Sequence, residues 1–163
     1  MTHEDISAKM SLIVDEMCRI LGIEPEKKVW VEESEGRIIV NVELNAENLG
    51  YIIGFHGRTL ESLESVLHSM INKQVGEITV KVLLNINGYR QKREEVIRIL
   101  ANNAAEFVRT HKVEKHLPPM KAYDRRLVHL ALKDYIDITT ESVGEGEDRR
   151  VVVKYNDDQS FNK

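Results

Sequence analysis

Two short constellations in this 163-residue sequence have residue types and spacing that could do chemistry. The first is Gly54-Phe55-His56-Gly57. Glycines without Cβ let another molecule's backbone approach closely. A helical pattern begins directly afterwards, and the free N–H groups and dipole of a helix N-terminus favour an anion. The four residues can therefore grip a phosphate backbone, or they can simply form a tight turn between two packed helices. The second constellation is Arg125-Arg126-Leu127-Val128-His129. Arg125 and His129 are one helical turn apart and share a face, and Lys121 and Lys133 extend the row. A guanidinium offers a two-pronged donor to phosphate, and an imidazole can hydrogen-bond to a base or stack on it. The plainer reading of this pair is a solvated helix face.

Other chemistries find no support. There is no Gly-rich loop ending in Gly-Lys-Ser/Thr and no His-Glu-x-x-His. His111 and His116 flank a proline break at poor metal spacing and read as surface residues. The single cysteine, Cys18, excludes an internal disulfide framework and any zinc site built from several cysteines. It lies on an apolar helix face and reads as a buried thiol. No nucleophile–base pair stands out, so neither an enzyme nor a cofactor nor a bound metal is expected. Nine aromatic residues without the relevant motif do not make a stacking sheet, and Trp30 is expected in the core or packed against it. No apolar run approaches the roughly 20 residues of a membrane helix. The acidic, polar start is not a signal peptide. Membrane insertion is therefore not expected, and the cytoplasm is the default compartment.

The elements that must position the two constellations follow from periodicity. Ile6, Met10, Ile13, Val14, Met17 and Leu21 mark a helix over 5–22, ended by Gly22. Residues 28–32 and 37–43 are β-rich runs around Ser34-Glu35-Gly36 and predict a hairpin. A short helix through Tyr51-Ile52-Ile53 leads into the Gly-x-x-Gly, and a longer one follows to about Lys73. Ile78, Val80, Val82 and Leu84 alternate as a third strand. The first half thus reads α-β-β-α-α-β, with Ile52, Ile53 and Leu60 expected to line an apolar groove beside the loop. A long helix runs from Gly88 to His111 with Val96, Leu100, Ala104, Phe107 and Val108 as its apolar face, and its entry carries Arg90 and Arg93. Pro118-Pro119 breaks the chain. A helix over 122–133 and strands at 136–140 and 149–155 complete the second half. Phe55 could stack on a base or pack on the protein, and packing is the favoured reading.

Charge separates the halves. The net charge of −4 argues against a basic coat protein for nucleic acid. Residues 1–86 carry 8 basic and 14 acidic side chains, whereas residues 87–163 carry 15 and 13. The net of −6 followed by +2 suggests two domains with different partners, with the second half holding an anionic strand more tightly.

The stretch Ile52-Ile53-Gly54-Phe55-His56-Gly57-Arg58-Thr59-Leu60, in an α-β-β-α-α-β order, resembles the type II KH domain. That family clamps about four single-stranded nucleotides. Its loops often carry Lys or Arg between the glycines. With Phe55-His56 in that place, phosphate attraction would rest on backbone amides, Arg58 and partly on His56. The run from Leu117 to His129, with Arg149-Arg150-Val151-Val152-Val153 as a closing hairpin, resembles the R-three-H domain, which binds single-stranded nucleic acid. The two in this order, joined by Gly88-Tyr89-Arg90, resemble the bacterial Jag family, also called the SpoIIIJ-associated, KhpB or EloR family. Many of its members have a further N-terminal domain, so this sequence reads as a short form or as part of a longer chain.

The resemblance implies an α+β protein with a KH domain at 5–86, an R-three-H domain at 87–156 and a polar tail at 157–163. It implies single-stranded RNA as the partner, single-stranded DNA as a further candidate, and pairing with a small KH-only protein. It also implies a part in post-transcriptional regulation and in cell elongation or division. The expected contacts are Ile53, Gly54, Phe55, His56, Gly57 and Arg58 in the first domain. In the second they are Arg90, Arg93, Lys121, Arg125 and His129, with Arg149 and Arg150 adding backbone contacts or pairing with nearby acids. A protein-interaction scaffold with vestigial RNA binding is the rival reading.

Overall fold

The computed structural model describes residues 1–156, and the expected polar tail at 157–163 lies outside the described residues. The chain divides into two units, Met1–Arg90 and Gln91–Lys163. No helix among the described residues is long and apolar enough to cross a membrane.

The first unit runs α1 (His3–Leu21), β1 (Glu26–Ser34), β2 (Arg37–Asn45), α2 (Gly50–Ile53), a single 3-10 turn at Phe55–Gly57, α3 (Arg58–Val75) and β3 (Val80–Ile86). Thr2 and Asp5 close a capping box at the start of α1, and Gly22 ends it in the left-handed conformation. Glu35 and Gly36 both take positive φ, which suits the tight turn between β1 and β2. β2 pairs antiparallel with β1 and parallel with β3, giving the sheet order β1-β2-β3. A parallel neighbour needs a crossover, and the crossover here is α2, the Gly-x-x-Gly turn and α3.

Strand alternation places Val40, Val42, Leu44, Val80, Val82, Leu84 and Ile86 against Ile6, Met10 and Val14 of α1 and Leu60, Leu67 and Ile71 of α3. Cys18 is buried in this core, as expected, and burial pushes its thiol pKa up. The same alternation sends Trp30 outward, since Val29 and Val31 pack inward. Trp30 is therefore 43% exposed rather than in the core. Polar side chains pin the edges. The Asn72 amide exchanges two hydrogen bonds with Val80, and Asn87 does the same with Ala46.

The second unit contains most of α4 (Tyr89–His111), then β4 (Lys115–His116), α5 (Ala122–Leu132), β5 (Ile138–Val143) and β6 (Arg150–Tyr155). Its sheet is antiparallel in the order β4-β6-β5. The core gathers Ile97, Ala101, Ala104, Val108, Leu117, Val128, Leu132, Ile138, Val151 and Val153. The buried stripe of α4 is thus rotated from the expected one, and Val96 is 54% exposed. Apolar residues at 96, 97, 99, 100 and 101 cover more than one face, so periodicity leaves the rotation open and packing decides it. Leu130 on α5 is likewise exposed, whereas Asp124 is buried. Pro118 and Pro119 have no N–H to give. The segment is held on β6 from either side, by Leu117 N–H to the Val151 carbonyl at 2.9 Å and Met120 N–H to the Arg149 carbonyl at 3.1 Å.

Candidate nucleic-acid interface

In the first unit the site is the turn between α2 and α3. Gly54 has φ 70° and ψ −177°, a conformation open in practice only to glycine. A Cβ there would fall 2.1 Å from Thr59 Oγ1 and 2.8 Å from Thr59 Cβ. Gly57 has φ 78°, and a Cβ there would fall 2.7 Å from the Tyr89 ring. Both glycines are thus required by close approach as well as by torsion. The second requirement comes from Tyr89, the first residue of α4, whose place in Gly88-Tyr89-Arg90 gives no sign of this contact. His56 between them is left-handed as well, at φ 51°. α3 starts at Arg58 with no side chain capping its first turn.

Phe55 is 71% exposed, and its ring stacks on His56 at 3.9 Å between centroids and 19° between planes. The expectation that Phe55 packs on the protein is therefore corrected. The turn is too tight and too near the surface to fold the ring back. Arg58 is exposed beside it, and Ile53 is half-buried. Ile52 and Leu60 lie inside the core and do not line an open groove. Each anchors its helix to the sheet, and the helical repeat turns it inward. Arg90 is drawn into this unit's frame. Its guanidinium pairs with Glu64, and its Nε donates to the Leu84 carbonyl at 3.0 Å.

In the second unit the Arg-x-x-x-His pair is tied by two runs of contacts to neighbouring residues of β5. Arg125 donates to the Met120 carbonyl at 2.7 Å, and Met120 N–H donates to the Arg149 carbonyl. The Arg149 Nε donates to Ser142 Oγ at 3.2 Å. Ser142 and Thr140 share one face of β5, and His129 Nδ1 lies 2.7 Å from Thr140 Oγ1. The fold thus brings Arg125, His129 and Arg149 together. Met120, Thr140 and Ser142 hold them, and the i, i+2 spacing of the last two is the signal that could have found them. Arg150 turns its Nε to the Asp148 carbonyl at 3.1 Å. Lys121 stands at the start of α5 with its ammonium buried. Arg93 is placed elsewhere. It donates to Asp124 at 2.7 and 3.1 Å, the pair lying between α4 and α5.

Burial first, and the nearby Arg125 second, lower the His129 pKa. The folded unit therefore resists a proton that the unfolded chain accepts below about pH 6.5. Stability present at neutral pH is lost as pH falls toward the lowered value. Thermal melts of the protein at pH 7.5 and 5.5 should show a decrease that is smaller in His129→Gln; an equal decrease in both would exclude this origin.

Comparison with known proteins agrees with the two halves. The family model "KhpA/KhpB, KH domain" matches residues 12–83, and the R3H domain model matches residues 95–155. The RNA-binding protein KhpB of Clostridium symbiosum is 35% identical over 125 residues, covering 77% of this chain and 56% of that protein. KhpB of Bacillus subtilis is 32% identical over 136 residues, covering 82% and 64%. The RNA-binding protein KhpA of Thermotoga maritima is 32% identical over 75 residues, 45% of this chain and 99% of that protein. The chain spans between a half and two thirds of the length of these two KhpB relatives.

Proposed function

We infer the function from one premise, that this chain belongs to the KhpA/KhpB family, as a KH domain followed by an R3H domain. We propose that it binds single-stranded RNA and catalyses no reaction. The observation that carries this reading is the Gly54–Gly57 turn, where torsion and close approach both demand glycine and an exposed Phe55, stacked on His56, stands before an uncapped helix. Backbone amides of the turn and Arg58 meet phosphate, Ile53 meets the base edge, and Phe55 on His56 offers a stacking face, a sequence-tolerant contact. Arg125, His129 and Arg149 form the second grip, with Arg150 beside it; Lys121, expected as a contact, has its ammonium buried at the start of α5 and is not among the contacts. Arg90 and Arg93 act through their ion pairs to hold the units in shape.

Binding of short single-stranded RNA by the full chain must weaken as salt rises. Gly54→Asp combined with Arg125→Ala should abolish it. No salt-dependent binding by the wild type, or intact binding by the double variant, defeats the reading. Equal affinity for single-stranded DNA would widen the ligand class. On the family resemblance we extend the role to post-transcriptional regulation in cell elongation or division, which a crosslinking map of bound transcripts in cells would test.

A second reading concerns the acidic first unit. Val66 and Met70 lie one turn apart on α3 and are exposed, which favours pairing with a small KH-only protein. Co-purification of such a partner should be lost in Met70→Glu while RNA affinity stays within twofold. A partner retained by that variant rules out this face.

A further inference from the structure

The second unit carries an aromatic and basic surface that the Arg125–His129 site does not use. Phe107 and His111 stack at 4.3 Å and 23° on the last turns of α4. His111 Nδ1 lies 2.9 Å from the Phe107 carbonyl, a contact in which the ring nitrogen donates, and His111 is exposed. The Lys115 ammonium stands 4.8 Å from the Phe107 ring centre, and the Lys112 ammonium 3.2 Å from that of Tyr155. Lys112, Glu114, Lys154 and Tyr155 line an open recess.

The acids of this surface are already engaged. Glu114 holds His116, Glu141 holds Lys154, and Asp137 takes both prongs of Arg109. Among the described residues, Lys112 and Lys115 are held over rings and not in a carboxylate ion pair. Lys112 also has φ 55° directly after α4, with its N–H on the Val108 carbonyl at 2.9 Å. Helices commonly put glycine at that position, because a side chain there is strained. Lys112 thus presents its charge from a strained backbone, over the Tyr155 ring.

We propose that this surface is a further contact for single-stranded nucleic acid, with bases stacking on the Phe107–His111 pair and phosphates meeting Lys112 and Lys115. The proposal rests on the RNA reading above and adds a site to it. Flat rings flanked by cations are what a single strand uses, since every base has a face to stack. An acidic peptide would use the lysines alone. Lys115 pairs with Val153, and Val153 with Thr140, the partner of His129, so the two sites stand on one sheet, two strand spacings or about 10 Å apart at the backbone, with the buried Val153 between them.

The test uses the full chain and labelled oligouridylate. Lys112→Gly should bind several-fold more weakly, yet melt at an unchanged or higher temperature because the left-handed strain is relieved. With Lys115→Gln added, the slope of log affinity against log salt should fall by about 1.4, at roughly 0.7 per phosphate on a single strand. His111→Ala should weaken binding without changing the slope. Wild-type affinity in these variants overturns the inference and leaves the RNA reading standing. Loss of wild-type binding overturns both. A lower melting temperature for Lys112→Gly with unchanged binding makes Lys112 a structural prop. Polyglutamate binding that depends on Lys112 and Lys115, with RNA binding unaffected, assigns the surface to an acidic protein and also overturns the inference.

Discussion

Asp124→Asn is expected to destabilise the second unit by about 3 kcal/mol, the low end for breaking a buried ion pair. Asp124 is only 4% exposed, and it is the one charged residue in the described core. Arg93 reaches it with two nitrogens on one carboxylate oxygen. Removing the charge leaves a guanidinium that is mostly out of water and loses its ionic partner. In a domain of this size the melting temperature should fall by more than 10 °C, at roughly 4–8 °C per kcal/mol. Hydrogen exchange resolved by residue should place the loss in α4, α5 and their sheet. The first unit should be unaffected, since the pair lies wholly within the second. Replacing both partners by leucine should recover most of the stability, because the cost is chiefly that of the stranded charge. A melting temperature within 2 °C of wild type for Asp124→Asn would show that Arg93 finds water and that the pair is not a structural anchor.

Gly54→Asp should reduce affinity for a short single strand at least tenfold, which corresponds to about 1.4 kcal/mol. Three effects act together. The torsions at Gly54 lie where an L-residue is strained by roughly 1–3 kcal/mol. The new Cβ meets Thr59 at its Cβ as well as its hydroxyl, and no rotamer moves a Cβ. The new carboxylate sits where phosphate is expected. Gly36→Ala isolates the cost of a positive φ without a close approach. Gly36 shares the same φ of 70° but has no atom within 4 Å of its would-be Cβ. It should therefore show strain alone, with unchanged RNA affinity. Gly54→Ala should melt below Gly36→Ala by the cost of displacing Thr59 and the first turn of α3 together with that of its ψ of −177°. If Gly54→Ala matches Gly36→Ala in stability and binds as the wild type, the close approach at Thr59 is unimportant and the turn is not the grip.

Much of this organisation was legible from residue order. The α-β-β-α-α-β order of the first unit, the position of Gly54 and Gly57 at a helix start, and the Arg125–His129 spacing all follow from local patterns of period 2 or 3.6. Cys18 was readable as buried because it continues the row of Met10 and Val14 at i+4 spacing. α4 was not readable in the same way. Its apolar residues extend around the helix, and only contact with Leu117, Val151 and Val153 selects Ile97, Ala101 and Val108 over Val96. β4 is two residues long and has no period of its own. Trp30 was misplaced by its residue type, since a large aromatic ring suggests a core, whereas the strand's alternation assigns it to the outer face.

The charged residues divide along the same line. Arg90, Arg93 and Arg125 look alike in sequence, as arginines on helices. The fold turns Arg90 to Glu64, Arg93 to Asp124, and Arg125 to the carbonyl of Met120, whose own N–H is bound to the Arg149 carbonyl. Which arginine is a clamp and which is a ligand depends on partners 26 to 31 residues away in the first two cases, beyond the reach of any local pattern. The sequence alone determined the two domain types, the glycine turn and the Arg-x-x-x-His row, because each is written within one or two turns of chain. Tertiary structure decided the rest: that Tyr89 rests against Gly57, that Thr140 and Ser142 complete the second site, and that Lys112 is held left-handed over Tyr155. Each of these is a contact between elements, and such contacts exist only once the cores have fixed how those elements pack.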